Sequence, residues 1–430
     1  MTIRIRTDRH LVRASHRSVR YVLAELTAPP KFEPADPATG DDAGRPPVNL
    51  AFVVDRSGSM SGDKIRLARQ AVEEALARLG PDDRFAIVVY DEAIDVVVPT
   101  TKATADARRD AVDRLSKIDA RGSTDLGGGW LRGCEQVALA LEADGVNRCL
   151  LLTDGLANVG ITDRDALTTH AVELRARGVS TSTFGVGDDF DEALLQSMAS
   201  AGGGHFYFIA DAATIRDHIT SEVGEALDIV ARAVAVEIAA PAGVIAESLS
   251  PYPTRVRSSG TEILVGDLVS DEQVRVVLRV AFPYGKPGER LGVALSVVDR
   301  DGVLGQDGGK LHWEYADDRA NDEQGRDSEV DRAVASLYAA RARQEAVRLN
   351  REGDYEGARR ALHAVARRIA GYAGHDAELR RIRDELEREA EEMAAPMPEL
   401  ARKQAFALAS YASYSRAPSG QALRSTPPKS

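Results

Sequence analysis

The sequence predicts a mixed α/β protein: a doubly wound, Rossmann-like domain inserted in an antiparallel β-sandwich, followed by a C-terminal helical bundle. Three observations lead to this prediction. Between residues 47 and 231, apolar runs of strand length alternate with longer amphipathic segments, as in parallel sheets covered by helices. On both sides of that segment, apolar residues recur at every second position, which is typical of half-buried strands. Beyond residue 328 they recur every three to four positions, which is the spacing of an amphipathic helix.

The composition limits the possible functions. A chain of 430 residues is too long for one ordinary hydrophobic core, so two or three domains are expected. The formal net charge of −12 argues against nucleic acid or an anionic membrane as the main partner. No apolar stretch approaches the length of a membrane span, and the N-terminus lacks an apolar signal core. We therefore expect a cytoplasmic protein in which Cys134 and Cys149 are buried free thiols rather than a disulfide.

The N-terminal segment alternates apolar and polar side chains from Ile3 to Leu23, which predicts strands. Residues 29–47 are rich in Pro, Asp and Gly and predict a linker. So few strands cannot bury a core alone. We therefore assign residues 1–46 to the first strands of the sandwich plus this linker, and residues 232–317 to its remaining strands.

The central segment, residues 47–231, alternates predicted strands and helices. Its first apolar run, Val48–Val54, fits a strand that is buried on both faces. The connections between parallel strands are expected to be right-handed crossovers. The predicted elements are strands at 48–54, 84–90, 94–98, 147–152, 181–186 and 205–209, and helices at 63–79, 104–115, 125–141, 163–177, 191–200 and 211–230.

After the central segment, the pattern predicts strands and then helices. The predicted strands are 234–238, 262–265, 274–280 and 291–297. Residues 328–415 form the helical region, in which Asp354 follows a break at Gly353 and is a plausible N-cap for the next helix. The later helices are predicted at 377–393 and 399–414. Residues 416–430 are rich in Ser and Pro and predict a disordered tail.

Polar residues in three separate loops of the central segment suggest a metal site. Asp55, Ser57 and Ser59 follow the first buried strand, Thr124 precedes a helix, and Asp154 follows another buried strand. Open α/β sheets bind ligands at the carboxyl ends of their strands. Oxygen donors without His or Cys suit Mg²⁺, with Mn²⁺ or Ca²⁺ as alternatives, better than zinc. The competing interpretation is that the two serines cap the following helix and the two acids are solvated.

These residues and their flanks resemble the metal-ion-dependent adhesion site of the von Willebrand factor A domain family. The family motif, Asp-x-Ser-x-Ser followed by a Thr and an Asp from later loops, is matched at Asp55, Ser57, Ser59, Thr124 and Asp154. The resemblance covers the whole central segment. It implies that the serine and threonine hydroxyls bind the ion directly and that the acids often act through water. It also implies that a carboxylate from a partner protein completes the octahedron.

The broader layout resembles bacterial and animal proteins of the inter-α-trypsin-inhibitor heavy-chain and calcium-activated-channel-like type, a resemblance that carries little functional content. The resemblance to the metal-ion-dependent adhesion site instead leads us to expect a non-enzymatic, metal-dependent protein-protein interaction module, such as an intracellular adaptor or regulator. The alternative is a non-ATPase subunit or adaptor of an AAA+ ATPase or protein-modifying system, because A-domain proteins often work beside such ATPases. A metal-dependent hydrolase would need a base beside an activated water, and no His or Glu is linked to the motif.

Other polar and glycine-rich stretches have two interpretations each. Gly127–Gly129 is expected to let a helix pack closely rather than bind phosphate, since the Lys of a phosphate-binding loop is missing. His205 is expected to be a packed histidine rather than a ligand. Asp188, Asp189 and Asp191 fit a helix N-terminus better than a second cation site. Asp125 fits a helix cap, with the alternative that it supports the metal ligands from beside Thr124. At a strand end, Asp55 is expected to lie outside the core and to bind the cation without supporting the fold.

Overall fold

The computed structural model describes residues 2–31, 45–258, 260–305 and 307–425. The chain divides into two compact units. Within the described chain, the first unit contains residues 2–31, 230–418 and 422–425, and the second contains residues 45–229 and 419–421. In sequence, the second unit is therefore inserted between two parts of the first, and the predicted mixed α/β architecture is confirmed.

The strands and helices are numbered here in chain order. The strands are β1 (Thr2–Thr7), β2 (Leu11–Arg13), β3 (Ser18–Thr27), β4 (Val48–Asp55), β5 (Arg84–Tyr90), β6 (Ile94–Lys102), β7 (Val146–Thr153), β8 (Ser180–Val186), β9 (Gly203–Ile209), β10 (Ile229–Ala239), β11 (Ile245–Ser248), β12 (Thr254–Arg257), β13 (Gly260–Val269), β14 (Gln273–Phe282), β15 (Arg290–Val298) and β16 (Asp307–Ala316). The helices are α1 (Asp63–Ala77), α2 (Ala105–Leu115), α3 (Leu126–Ala138), α4 (Arg164–Ala176), α5 (Glu192–Gly202), α6 (Ile215–Leu227), α7 (Asp318–Glu323), α8 (Ser328–Arg351), α9 (Tyr355–Ala370), α10 (Ala377–Glu392) and α11 (Glu399–Ser413).

The second unit is built on a six-stranded sheet in the order β6-β5-β4-β7-β8-β9. All neighbouring pairs are parallel except β5 and β6, which are antiparallel. Every residue of β4 and β7 is buried, as expected for central strands covered by helices on both faces. The glycines of α3 permit its close packing, since a Cβ at Gly129 would lie 2.4 Å from Tyr90 and one at Gly133 would lie 2.1 Å from Val53.

The first unit contains two antiparallel-rich sheets packed face to face, in the orders β1-β3-β14-β11 and β12-β13-β10-β15-β16-β2. β3 pairs along its whole length with β14, from Ser18 opposite Phe282 to Thr27 opposite Gln273. A strand from before the insertion thus lies beside one from after it, which supplies the partners that the N-terminal strands lack. The buried indole of Trp313 donates to the Thr7 hydroxyl at 3.1 Å, so both parts of the chain share this core.

The helical region packs on the outer face of the first sheet and on itself. Val330, Val334 and Leu337 of α8 pack against Leu23 and Val277, whose side chains lie on the outer face of β3 and β14. Helices α8, α9 and α10 share a second apolar cluster. The capping residue predicted before α9 is confirmed, because the Asp354 carboxylate accepts a hydrogen bond from the Gly357 backbone N–H at 2.8 Å. No helix in the described ranges is both long and apolar enough to cross a membrane.

Several elements differ from the sequence predictions. The helix predicted at 211–230 ends at Leu227, because the apolar residues from Ile229 onward join β10 instead. Strand β12 was not predicted, since all its residues are exposed and it has no apolar alternation. Strands β11 and β16 were also missed, the latter because it begins with Gly-rich and charged residues.

The C-terminal segment differs from prediction as well. Residues 416–425 were predicted to be disordered, but the Gln273 N–H donates to the Leu423 carbonyl at 2.7 Å and the Ser425 N–H donates to the Asp271 carbonyl at 2.8 Å. These bonds satisfy backbone groups at the turn before β14, so this part of the segment is ordered. The rest of the predicted tail, residues 426–430, and most of the predicted linker, residues 32–44, lie outside the described residues.

A buried carboxylate before β5 ties together the start of the second unit. Asp83 accepts hydrogen bonds from Arg45 at 2.8 and 2.5 Å, from the Val48 N–H at 2.9 Å and from the Gly80 N–H at 2.7 Å. Burial acts to raise the pKa of Asp83, but the bonds from Arg45, Val48 and Gly80 outweigh burial and lower it. A carboxyl group whose pKa is lower in the folded than in the unfolded chain stabilises the fold at any pH above its pKa in the unfolded chain. This stabilisation is lost as the pH falls through the pKa of the group in the folded protein.

Asp83→Asn should therefore lower the free energy of unfolding by about 2 kcal/mol at pH 7 and by much less at pH 3. The measurement is urea unfolding of the full chain, followed by tryptophan fluorescence. Both variants are made in a Trp313→Phe background, because the sequence has two tryptophans and only Trp130 of the second unit then remains. Asp82→Asn is the matched control, since its side chain is 90% exposed. Equal midpoints for the two variants at pH 7 would contradict the prediction.

Candidate metal centre

The first loop of the site starts at the last residue of β4. One oxygen of the Asp55 carboxylate accepts from the Ser57 N–H at 2.8 Å, and the other accepts from the Thr153 hydroxyl at 2.7 Å. Ser57 precedes a single 3₁₀ turn, Gly58–Met60, which turns the chain so that the Ser57 and Ser59 hydroxyl oxygens lie 3.1 Å apart. The loop thus holds one carboxylate and two hydroxyls within a few ångströms.

The third loop brings a second carboxylate to the same place. Asp154 follows β7 directly and is fully buried. Its Oδ1 accepts a hydrogen bond from the Ser59 hydroxyl at 2.7 Å, and its Oδ2 accepts one from the Lys64 ammonium at 2.5 Å. The parallel register of β4 and β7 places the loops after these two strands side by side.

The second loop contributes Thr124. Its backbone N–H donates to the Asn158 side chain at 3.0 Å, which fixes the loop. A Cβ at Gly155 would lie 3.4 Å from the Thr124 hydroxyl oxygen and 3.8 Å from that of Ser59, so both hydroxyls face the space that this glycine leaves open. Thr124 is only 4% exposed, so its side chain is enclosed within the site.

The structure brings all five predicted residues together, and their donors fit a hard cation. They offer three hydroxyl and two carboxylate groups, with no nitrogen or sulfur, which is the set that Mg²⁺, Mn²⁺ or Ca²⁺ prefers. The alternative interpretation, in which the two serines cap the following helix, is wrong for the described residues. Ser57 makes no side-chain capping bond, and the N-cap of α1 is Gly62.

Asp55 differs from its predicted environment. We expected it to lie outside the core, but it is fully buried. Burial raises the pKa of Asp55, and the hydrogen bonds from Thr153 and Ser57 lower it. Burial is the larger effect, so the pKa is raised to about 6. Removing the carboxylate altogether would leave these two buried donors without their acceptor, so Asp55→Ala is not neutral for the fold.

A buried ion-pair cluster beside the site was not predicted from the sequence. Arg56, within the motif, is 5% exposed and donates to Asp91 at 3.0 Å, and Arg121 donates to Asp91 at 2.7 Å. Burial acts to raise the pKa of Asp91, but the bonds from Arg121, the Ala93 N–H and Arg56 outweigh it and lower the pKa. The cluster joins the first and second loops. Asp91 follows β5 at the same sheet edge as the motif acids. An acid directly after a predicted strand is the sequence feature from which its place beside the site could have been predicted.

The backbone also joins these two loops. The Gly58 N–H donates to the Gly122 carbonyl at 3.1 Å, and the Arg121 N–H donates to the Arg56 carbonyl at 2.7 Å. Gly122 has a φ of +70°, and a Cβ there would lie 1.8 Å from the Glu92 carboxylate, which accepts from the Ser123 N–H at 2.6 Å. A side chain at this position would therefore be strained by the positive φ and would displace the Glu92 carboxylate from the Ser123 N–H.

The remaining polar candidates of this unit have structural partners. Asp125 caps α3 and Asp191 caps α5, as predicted. His205 lies near Glu222 and Glu225, a group with donors close enough to hold a metal. Glu222, however, already accepts from Arg148 at 2.7 Å, from Ser182 at 2.6 Å and from His205 at 3.0 Å. Burial acts to raise the pKa of Glu222, but His205 and Arg148 lower it well below its usual value, so this is an ion-pair network of the core.

Comparison with known proteins decides the family of the inserted unit. A profile of the von Willebrand factor type A domain matches residues 49–221. This segment is a von Willebrand factor type A domain. The domain contains all five predicted metal-site residues, and domains of this family are metal-dependent protein-interaction modules.

Two relatives illustrate the similarity of this chain to other proteins. The chain is 32% identical over 195 residues to the uncharacterized protein YfbK of Escherichia coli K12, a match covering 45% of this chain and 34% of YfbK. It is 30% identical over 239 residues to inter alpha-trypsin inhibitor heavy chain 4 of Mus musculus, covering 54% of this chain and 25% of that protein. The matches therefore span about a third and a quarter of these relatives.

The fold extends the likeness beyond the VWA domain. A solved von Willebrand factor type A structure from Catenulispora acidiphila superposes with a TM-score of 0.67 over 89% of both chains. The sequence identity is 20%, so this likeness shows the fold alone. It supports an architecture in which a VWA domain is combined with the sandwich and helices described above.

Asp55→Asn should abolish metal binding by the VWA domain and stabilise the metal-free protein. Because the pKa of Asp55 is raised to about 6 in the folded protein, the ionised carboxylate destabilises the fold above that pH. This destabilisation declines as the pH falls toward the pKa that Asp55 has in the unfolded chain. We expect a gain of about 1–2 kcal/mol at pH 7.5, about half as large at pH 5. Urea unfolding in EDTA measures the gain. Asp189→Asn, in an exposed loop, is the control, and a lower midpoint for Asp55→Asn at pH 7.5 would contradict the prediction.

Gly122→Ala should weaken Mn²⁺ binding by at least about tenfold, because the added methyl group displaces Glu92 and the loop that precedes Thr124. Isothermal titration of the full chain with MnCl₂ measures the affinity. Gly325→Ala is the control, since a Cβ there meets nothing within 4 Å. Unchanged affinity in Gly122→Ala would show that the site does not depend on this loop.

Proposed function

We propose that this protein is a binding module rather than an enzyme, and that its VWA domain binds a protein partner through a divalent cation. Asp55, Ser57, Ser59, Thr124 and Asp154 would hold the ion, with Mg²⁺ favoured and Mn²⁺ or Ca²⁺ as alternatives. The partner would offer the carboxylate of an Asp or Glu side chain. The observation that supports this proposal is the convergence of three hydroxyls and two carboxylates from three loops at one edge of the sheet.

The donor set favours carboxylate recognition. A divalent ion held by neutral hydroxyls and two acids keeps an affinity for a further anionic oxygen. When bound, the ion supplies a positively charged docking point, and the chain's own residues orient and shield it. Ser57 and Thr124 are buried, whereas Ser59 is exposed, so a partner can approach on the Ser59 side.

The charges beside the site support an acidic partner. The Lys64 side chain is 29% exposed and that of Arg121 is 61% exposed, so two cationic groups lie at the surface near the motif. Arg121 is paired with buried Asp91, whose pKa is lowered by the hydrogen bonds described above. Such groups raise the local concentration of an acidic segment, and this effect weakens with salt.

We also propose an intracellular adaptor or regulator. Cys134 and Cys149 are both buried and free, which suits a reducing compartment. The sandwich and helical region would provide further contact surface for the partner or for the assembly in which the adaptor works.

The experiment is affinity capture with the full chain as bait, from a lysate of the source organism, in MgCl₂ and again in EDTA. Asp55→Asn is the test variant, because the amide removes the negative charge and keeps the size of the side chain, and Asp189→Asn is the control. A partner that is captured in Mg²⁺ by the wild type and the control, and is lost in EDTA and with Asp55→Asn, is the expected result. Its acidic residues can then be replaced one at a time by amides.

The other outcomes separate the alternatives. A partner that remains in EDTA and with Asp55→Asn would place binding on the sandwich or helices and overturn the metal-dependent mechanism. A metal-dependent partner with AAA+ ATPase activity would favour the subunit or adaptor of such a machine. Metal-dependent hydrolysis by the purified chain, lost in Asp55→Asn, would overturn the non-enzymatic proposal.

A further inference from the structure

Lys64 lies outside the family motif but contacts one of its acids. It is in the first turn of α1, and its ammonium donates to Asp154 Oδ2 at 2.5 Å. Among the described residues, this is the only ion pair that Asp154 makes, and the Asp154 side chain is fully buried while that of Lys64 is 29% exposed. The contact therefore joins a buried acid to a cation that reaches solvent.

The two oxygens of Asp154 have different partners. Oδ1 accepts from the Ser59 hydroxyl at 2.7 Å and faces the other donors of the site, whereas Oδ2 is held by Lys64. The two motif acids provide two negative charges, and Lys64 neutralises one of them. The other nearby cations, Arg56 and Arg121, are paired with Asp91 and do not contact the motif acids.

We propose that Lys64 is an internal cation that lowers the affinity of the VWA site for divalent metal. A divalent ion among these donors would share the Asp154 carboxylate with the ammonium and lie close to a like charge. Like charges at such distances repel strongly where the surroundings are partly desolvated. The site is consequently biased toward weak metal binding by the protein alone, and a partner carboxylate would add the negative charge that Lys64 offsets.

The proposal rests on the metal site of the proposed function but not on the partner. It concerns a residue that sets metal affinity from outside the motif, so it can be tested with the metal alone. The variant Lys64→Met removes the charge and keeps a side chain of similar length. Lys64→Arg keeps the charge, and Lys117→Met, which removes an exposed cation paired with Asp113 on α2, is the matched control.

The test is titration of the full chain with MnCl₂, with free Mn²⁺ followed by electron paramagnetic resonance. We expect Lys64→Met to bind Mn²⁺ at least about tenfold more tightly than the wild type, and Lys64→Arg and Lys117→Met to bind within about twofold of it. Thermal unfolding in EDTA verifies that each variant is folded. If Lys64→Met proves unstable, Lys64→Arg provides a second test. Because Lys64→Arg keeps the positive charge, an Mn²⁺ affinity of this variant far from that of the wild type would by itself overturn the charge argument.

Each other outcome is informative. Equal or weaker Mn²⁺ binding by Lys64→Met overturns the proposal, and weaker binding would show that Lys64 instead holds Asp154 in place for the metal. No Mn²⁺ binding by any of the four proteins would overturn the metal site of the proposed function. Failure of the capture experiment alone would leave the role of Lys64 intact, so the two proposals fail separately.

Discussion

The parallel pairing of β4 with β7 determines where the motif acids lie. The register runs from Val48 opposite Val146 to Val54 opposite Leu152 without a shift. Asp55 and Asp154 then follow neighbouring strands at the same sheet edge. A slip of one residue would exchange the two faces of β4 and turn Asp55 away from Thr153, whose hydroxyl donates to it. Both strands are buried on both faces, and the Asn49 side-chain amide donates to the Asn147 side-chain oxygen at 3.2 Å across this pairing. The candidate metal site depends on this register.

The two acids are kept in the interior by different means. Among the described residues, the Asp55 carboxylate accepts two hydrogen bonds and forms no ion pair, and burial raises its pKa to about 6. Asp154 instead has the ammonium of Lys64 within 2.5 Å. A cation among the hydroxyls would favour the ionised form of Asp55, while at Asp154 it would meet a carboxylate that already has a counter-ion. The site therefore combines Asp55, whose carboxylate has no counter-ion among the described residues, with Asp154, whose carboxylate is paired with Lys64.

The sequence predicted the elements whose signals are local and missed those that depend on contacts between distant residues. The buried strands β4 and β7 and the motif residues Asp55, Ser57, Ser59 and Asp154 were recognisable because an apolar run followed by oxygen-bearing side chains is visible within a dozen residues. Thr124 follows no such run and was recognisable only through the resemblance to the family motif. The Arg56–Asp91–Arg121 cluster joins residues up to 65 positions apart in sequence, and the Arg148–Glu222 pair joins residues further apart still. Burial of Asp55 was misjudged for the same reason, since Thr153, whose hydroxyl donates to it, lies 98 positions away in sequence. Strand β12 is held by pairing with β13 alone, and its exposed residues contain no pattern that sequence reasoning can detect.

The contacts around the motif indicate that its properties are set largely by residues outside it. Arg56 occupies a variable position of the motif, yet it is buried and joined to Asp91 at 3.0 Å, which ties the first loop to the strand end beside it. Gly122 has a positive φ that strains any other residue and lies against the Glu92 carboxylate, and its carbonyl accepts from the Gly58 N–H at 3.1 Å. Lys64 provides the counter-charge of Asp154. Two proteins with identical motif residues could thus differ in metal affinity through the charge at the position of Lys64, and in loop geometry through the partners of Asp91. In this protein, the charges and hydrogen bonds around the five donors therefore have to be considered together with the donors themselves.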